Sequence, residues 1–254
     1  KKNQGEIMKT LRGAKNSTVK LGVQRGNSPE LLYFDVTRGD VPVNSVDVSF
    51  EAAKGIGYIK VSKFARNTYN EFITAIAKLK QAGCTSFVID LRGNTGGYMD
   101  AAINMINEFM PEGRLIVYTE GKSFPRSDVY ANGTGTCKDA PIVVLTDEIS
   151  ASASEIFSGA IQDNDRGTII GRRTYGKGLV QTQMSLSDGS EMRLTIARYY
   201  TPSGRCIQKK YEMGNTDAYD QDIYNRYMHG EFDSADSIKM DDSLKYQTVG
   251  GRTV

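Results

Sequence analysis

Twice in this sequence a nearly all-apolar run ends in a turn of small residues and passes straight into a helical pattern. "CTSFVIDL" (84–91) leads through "RGNTGG" into "MDAAINMINEFM", and "APIVVLT" (140–146) leads through "DEISA" into "SASEIFSGAIQDN". A strand without polar alternation has to be covered on both faces. Strands that alternate with helices predict an α/β core, with helices packed over a largely parallel sheet. The unit occurs once more upstream, where "GIGYIKVSKF" precedes residues 68–80. There Tyr69, Phe72, Ile73, Ile76 and Leu79 share one helical stripe. Thr68 and Glu71 have capping-box spacing, and Gly83 supplies a stop. "RLIVYTEG" and "GTIIG" read as further buried strands.

Elsewhere the period is two. Val180, Thr182, Met184 and Leu186 alternate with Gln181, Gln183 and Ser185, Asp188-Gly189 makes a turn, and Met192, Leu194 and Ile196 alternate on the way back. That pattern predicts a β-hairpin. The first forty residues read as a short helix, "GEIMKTLRG", and two strands, "STVKLGVQ" and "LLYFDVT", too little to fold alone and so the end of a small β-rich module. From Thr201 onward the chain is polar and Tyr-rich, an extended or loosely helical tail. The expected organisation is a partial module at 1–40, an α/β core at 41–208 and an extension at 209–254 packing on that core.

Composition removes several function classes. Of the 254 residues 39% are hydrophobic and 24% charged, values of an ordinary globular protein. The net charge is +2, with cations and anions interleaved. No basic stripe suits nucleic acid or an anionic membrane. No apolar run approaches the ~18–20 residues of a membrane span, so membrane association is expected only through an anchor outside this chain. Cys84, Cys137 and Cys206 are widely separated, and no two are spaced as a zinc pair. His229 is the sole histidine. A metal site or a Ser-His-Asp triad would have to be built around it, so neither metal nor cofactor is expected.

The stretch "TIIGRRTYGKGLVQ" imitates a phosphate-binding loop, because Gly171 and Gly176-Lys177 have its spacing. The imitation fails on two counts. Position 178 is glycine where a magnesium-binding hydroxyl is needed, and "GLVQTQMSL" alternates as a strand where a helix must begin. Lys177 therefore needs another role. Glycine on both sides permits a tight bend that turns the amine inward, and a desolvated lysine can serve as a general base.

A base requires a nucleophile. In "TDEISASASEIF" serines sit where a buried strand turns into a helix. Unbonded N–H groups and the helix dipole favour negative charge developing there. Ser150, Ser152 and Ser154 all qualify by spacing, and Ser152 with Glu155 also forms an ordinary capping box. The glycines of "RGNTGG" lie at the end of the other buried strand, where open α/β sheets place their sites.

With these residues in place the sequence resembles the carboxyl-terminal processing proteases, also called tail-specific proteases. The resemblance rests on "GYIKVSKF", "VIDLRGNTGG", "SASASEIFSGAIQDNDRGTIIGRRTYGKGLVQ" and "RYYTPSGRCIQ", in the family's order, over residues 43–208. It implies a Ser-Lys dyad without histidine. The nucleophile would be Ser152, the middle serine of "SASAS", and the base Lys177, 25 residues later. Gln181 would hold the lysine, although four residues of straight strand span ~13 Å, so the turn would have to fold back. The N–H of Ala153 and that of Gly96 or Gly97 would form the oxyanion hole. The resemblance also implies a crotonase-like fold of repeated strand–strand–helix units, with the first forty residues as the end of a PDZ module. It further implies polypeptide substrates with accessible C-termini and an extracytoplasmic location; a homo-oligomer is left open by the sequence. The rival expectation is a peptide-binding or adaptor protein on the same fold.

Overall fold

The computed structural model describes residues 3–26, 28–40, 44–211, 217, 219, 221–238 and 244–254. The chain divides into two units, Lys1–Val43 and Asn44–Val254. The expected start of the core at 41 lies outside the described residues.

The first unit has the expected elements. Helix α1 (Gln4–Leu11) starts at a capping box between Asn3 and Glu6. Strands β1 (Thr18–Val23) and β2 (Leu32–Thr37) pair antiparallel, Thr18 opposite Thr37. None of the helix residues is buried, and β2 is exposed throughout.

The second unit is built on two sheets. Strands β3 (Val46–Ala53), β4 (Ile56–Val61), β5 (Ser86–Asp90), β8 (Ile142–Thr146) and β9 (Thr168–Gly171) lie side by side in that order. Pairing is antiparallel only between β3 and β4. Helices α2 (Thr68–Gln81), α3 (Met99–Asn107) and α4 (Ala153–Asp163) fill the connections. The buried residues of β4, β5 and β8 pack with Phe72, Ile76, Met105, Ile106, Phe157 and Ile161 in one core. The second sheet is antiparallel, in the order β10 (Leu179–Ser185), β11 (Glu191–Tyr200), β6 (Leu115–Gly121), β7 (Phe124–Tyr130). Helix α5 (Asp222–Met228) follows in the tail.

Three expectations need correction. "RLIVYTEG" leaves the parallel sheet and joins the antiparallel one as β6, where Tyr118 stacks on Tyr200 of β11 with ring centroids 4.9 Å apart. "GTIIG" is a strand but an edge, and Ile170 is 53% exposed. The Thr68–Glu71 capping box does not form. Asn67 occupies the cap, and Glu71 reaches out to the N–H groups of Ser45 and Val46 at 2.6 and 3.0 Å. Those two amides belong to Val46, the first residue of β3, and to Ser45 just before it, so tertiary donors displace the local one.

Cys84 and Cys137 are buried in the core, and Cys206 is half-buried; all three are free. His229 caps the end of α5. No helix among the described residues is long and apolar enough to cross a membrane.

Candidate active site

Two loops meet at the C-terminal ends of the central parallel strands β5 and β8. The turn after β5 is anchored by Asp90, whose side chain is 1% exposed. It accepts from the Tyr58 hydroxyl at 2.5 Å, from the Arg92 N–H at 2.9 Å and from the Arg92 guanidinium at 2.7 Å. Lys60 adds a cation at 3.4 Å. Burial alone would raise the Asp90 carboxyl, but the Arg92 and Tyr58 hydrogen bonds hold it well below the usual carboxylate range. Asn94, fully buried, then ties the turn to β4 through Val61 and accepts from the Gly96 N–H at 2.8 Å.

The loop after β8 packs directly on this turn, and here the three serines part ways. Ser150 and Ser154 are fully buried. Their hydroxyls donate to the carbonyls of Leu91 and Asn94, at 2.8 and 2.9 Å, and so pin one loop to the other. Ser152 lies between them, half-buried, with φ 55° and ψ −112°. For a residue with a Cβ that backbone is strained by about 1–3 kcal/mol. Such a sharp, strained strand-to-helix turn presents a serine at the top of an α/β sheet.

The amides beside Ser152 are unequal. Ala153 opens α4, so its N–H has no partner within the helix. Gly96 packs against this point: a Cβ there would lie 2.6 Å from the Ala151 carbonyl, 2.7 Å from Ser152 Cβ and 3.0 Å from the Ala153 nitrogen. Its own N–H is already held by Asn94. Gly97 forms a parallel bridge with Phe64, in which Phe64 N–H donates to Gly96 and Tyr98 N–H donates to Phe64. In such a bridge the N–H of Gly97 itself points to the opposite side.

Lys177 is brought to the same place by Glu155, a residue that sequence reasoning treated only as a cap. Glu155 Oε2 accepts the N–H groups of Ser152 and Lys177, both at 2.8 Å. Its other oxygen accepts from Gly176 at 2.6 Å and from the Thr174 hydroxyl at 2.8 Å. Burial pushes the Glu155 carboxyl upward, against these four donors. The S-x-x-E spacing carried this signal, but nothing in it announced a second, distant client. The expected inward turn of Lys177 is corrected: its side chain is exposed. The flanking glycines serve close packing as well, because a Cβ at Gly178 would lie 2.4 Å from the Gln208 nitrogen. Gln181 is exposed on β10, directly after a bulge at Val180, and its amide donates to Thr195 at 3.4 Å.

Gln181 also lines a cleft of about 570 Å³ with Gly97, Tyr98, Thr182, Gln183 and Arg193. One wall of this cleft is the turn beside Ser152, and the other is β10, the edge of its sheet. A strained serine under helix-terminal amides beside an open strand edge is an arrangement suited to acyl transfer on extended chains.

Comparison with known proteins agrees with that class. Residues 55–217 match peptidase family S41, and the chain belongs to that family. It is 36% identical over 207 residues to a carboxyl-terminal-processing protease of Synechocystis sp. (strain ATCC 27184 / PCC 6803 / Kazusa), an alignment covering 80% of this chain and 48% of that protein. A carboxyl-terminal-processing protease of Picosynechococcus sp. (strain ATCC 27264 / PCC 7002 / PR-6) is 36% identical over 206 residues, 80% of this chain and 49% of its own. The solved photosystem II D1 C-terminal processing protease superposes with a TM-score of 0.61 at 32% identity, covering 80% of this chain and 56% of that one. The chain spans about half the length of the curated relatives it matches.

Proposed function

We propose that this chain is the catalytic part of a serine endopeptidase that cleaves polypeptides near their C-termini through an acyl-enzyme. The observation that carries the reading is the single Glu155 oxygen shared by Ser152 and Lys177. Neutral Lys177 takes the Ser152 proton as Oγ bonds to the scissile carbonyl carbon. The N–H groups of Ala153 and Gly97 hold the resulting oxyanion. Gly96 is the weaker donor candidate, since its N–H already serves Asn94. Collapse breaks the C–N bond, and the lysine ammonium returns the proton to the leaving amine. Lys177, neutral again, takes a proton from the water that attacks the ester carbonyl and passes it to Ser152 Oγ as the acyl C–O bond breaks, which releases the new carboxyl terminus.

The exposed side chain of Lys177 fits a base that is completed by substrate. A polypeptide laid over it would exclude water, and desolvation disfavours the ammonium and leaves a neutral amine able to accept a proton. Gln181 would hold the amine after giving up Thr195. The substrate itself would add as a strand along β10. Leu186 N–H pairs with Ser190 across the hairpin, and alternation then turns the backbone groups of Gln181 and Gln183 toward the open edge. We further read the core as crotonase-like, residues 1–40 as the end of a PDZ module, residues 209–254 as an extension packing on the core, and the location as extracytoplasmic.

The test is cleavage of unstructured peptides by the wild type, Ser152→Ala and Lys177→Ala. Loss of turnover in both variants supports the dyad; undiminished cleavage by either one removes it. Tight peptide binding without turnover by the wild type would instead favour the peptide-binding alternative.

A further inference from the structure

The loop that carries Lys177 is gripped from two sides, and the second grip comes from the polar tail. Residues 172–178 have little apolar content with which to fix themselves. On the core side they hang on Glu155 and on the Ser150 carbonyl, which accepts from Tyr175 N–H at 3.0 Å. On the tail side stands Arg226 of α5, an arginine only 4% exposed. Its guanidinium donates to the Thr174 carbonyl at 3.1 Å, to the Arg173 carbonyl, and to Glu231 at 3.1 Å. Glu231 in turn accepts from the Arg173 side chain at 2.8 Å. Burial pushes the Arg226 guanidinium down, and Glu231 opposes that shift.

Further contacts extend the same grip. Phe232 lies beneath Arg172, 5.1 Å from the ring centre. Gly178 N–H donates to the Gln208 side chain at 3.0 Å, and Lys209 N–H donates to Gly176 at 2.9 Å. The Lys209 ammonium sits over the Tyr175 and Tyr219 rings and pairs with Asp222 at 3.3 Å. A buried arginine directed at two backbone carbonyls is costly to desolvate, and a planar fork suits that geometry better than an ammonium.

We propose that Gln208 and Lys209, together with residues 222–232, form a latch for the Lys177 loop, with Arg226 as its positioning residue. The latch rests on the dyad reading for its catalytic meaning, but its structural content does not. Arg226 touches no reacting atom; it sets where residues 173 and 174 lie, and through them where Lys177 leaves the backbone.

Amide hydrogen exchange and steady-state kinetics on the full chain test this together. In Arg226→Gln, exchange at residues 173–178 should rise at least tenfold while Ile142–Thr146 of β8 stay unchanged. Turnover should fall at least tenfold with KM within twofold, and Arg226→Lys should recover part of both. Because Arg226 is buried, Glu231→Gln supplies a milder variant, expected to move the same amides in the same direction by a smaller factor. Unchanged exchange at 173–178 in both Arg226→Gln and Glu231→Gln overturns the latch, as does equal loosening of loop and core strand. If Lys177→Ala keeps full activity, the dyad falls while the exchange result still decides the latch.

Discussion

Ser152 and Lys177 donate their backbone N–H groups to one carboxylate oxygen, Oε2 of Glu155, each at 2.8 Å. The two nitrogens therefore lie no further apart than twice that distance, although the residues stand 25 positions apart in the chain. A carboxylate that accepts four donors fixes two loops at once, and it does so whatever the lysine side chain is doing.

Glu155→Gln should expose this dependence. The amide keeps the size of the carboxyl but turns one acceptor into a donor facing N–H groups, leaving buried donors unsatisfied at a cost of about 1–3 kcal/mol. We expect folded protein, a lower unfolding midpoint in urea and turnover reduced on the order of a hundredfold. Full turnover in a folded Glu155→Gln protein would show that the shared oxygen is irrelevant to the chemistry.

Strain at Ser152 predicts a stability difference between two variants at this position. At φ 55° glycine relaxes where alanine does not. Ser152→Gly should therefore be more stable than Ser152→Ala by about 1–2 kcal/mol, measured by chemical denaturation. Equal midpoints would mean that the turn stores no strain.

The two glycines beside the serine should fail differently. In Gly96→Ala the new methyl presses on Ser152 and the Ala151 carbonyl, at 2.7 and 2.6 Å, so turnover should fall more than a hundredfold while the sheet persists. In Gly97→Ala the methyl would lie 2.0 Å from the Phe64 carbonyl and break the bridge itself. That variant should also lose thermal stability, which circular dichroism melts would register. Wild-type activity in both would remove this turn from the site.

Asp90 gives the acid limb of stability. Its folded-state pKa lies below the unfolded value, so its contribution is fully present above about pH 4 and is lost as pH falls toward the lowered folded value. Asp90→Asn should be less stable than the wild type at pH 7, by about 1–3 kcal/mol. The gap should close as unfolding is measured at successively lower pH. A gap that stays constant down to pH 3 would contradict the assigned role of the carboxylate.

Much of this was legible from local pattern. The apolar runs ending at Asp90 and Thr146 became β5 and β8, and the period-two stretch became the β10–β11 hairpin with Gly189 in its turn. Where a segment's partner is remote, pattern was silent or misleading. The strands β3 and β7 had no clear signature, and Leu115–Gly121 looked like any other buried strand until it paired with β11 and not with β8. Glu71 carried the spacing of a cap, yet two amides of another element were better placed to use it.

The kind of core was readable along the chain, because hydrophobic period and glycine placement are properties of neighbouring residues, and the resemblance carried by the quoted motifs supplied the family and the two loops that bear the serine and the lysine. The folded chain sets the three serines apart: it buries Ser150 and Ser154 against carbonyls of the other loop and leaves Ser152, the serine the resemblance points to, in the strained turn. It alone drew the tail onto the Lys177 loop through Arg226. Hydrogen bonds between residues tens of positions apart depend on where each carbonyl and N–H points in space, and no spacing rule encodes that direction.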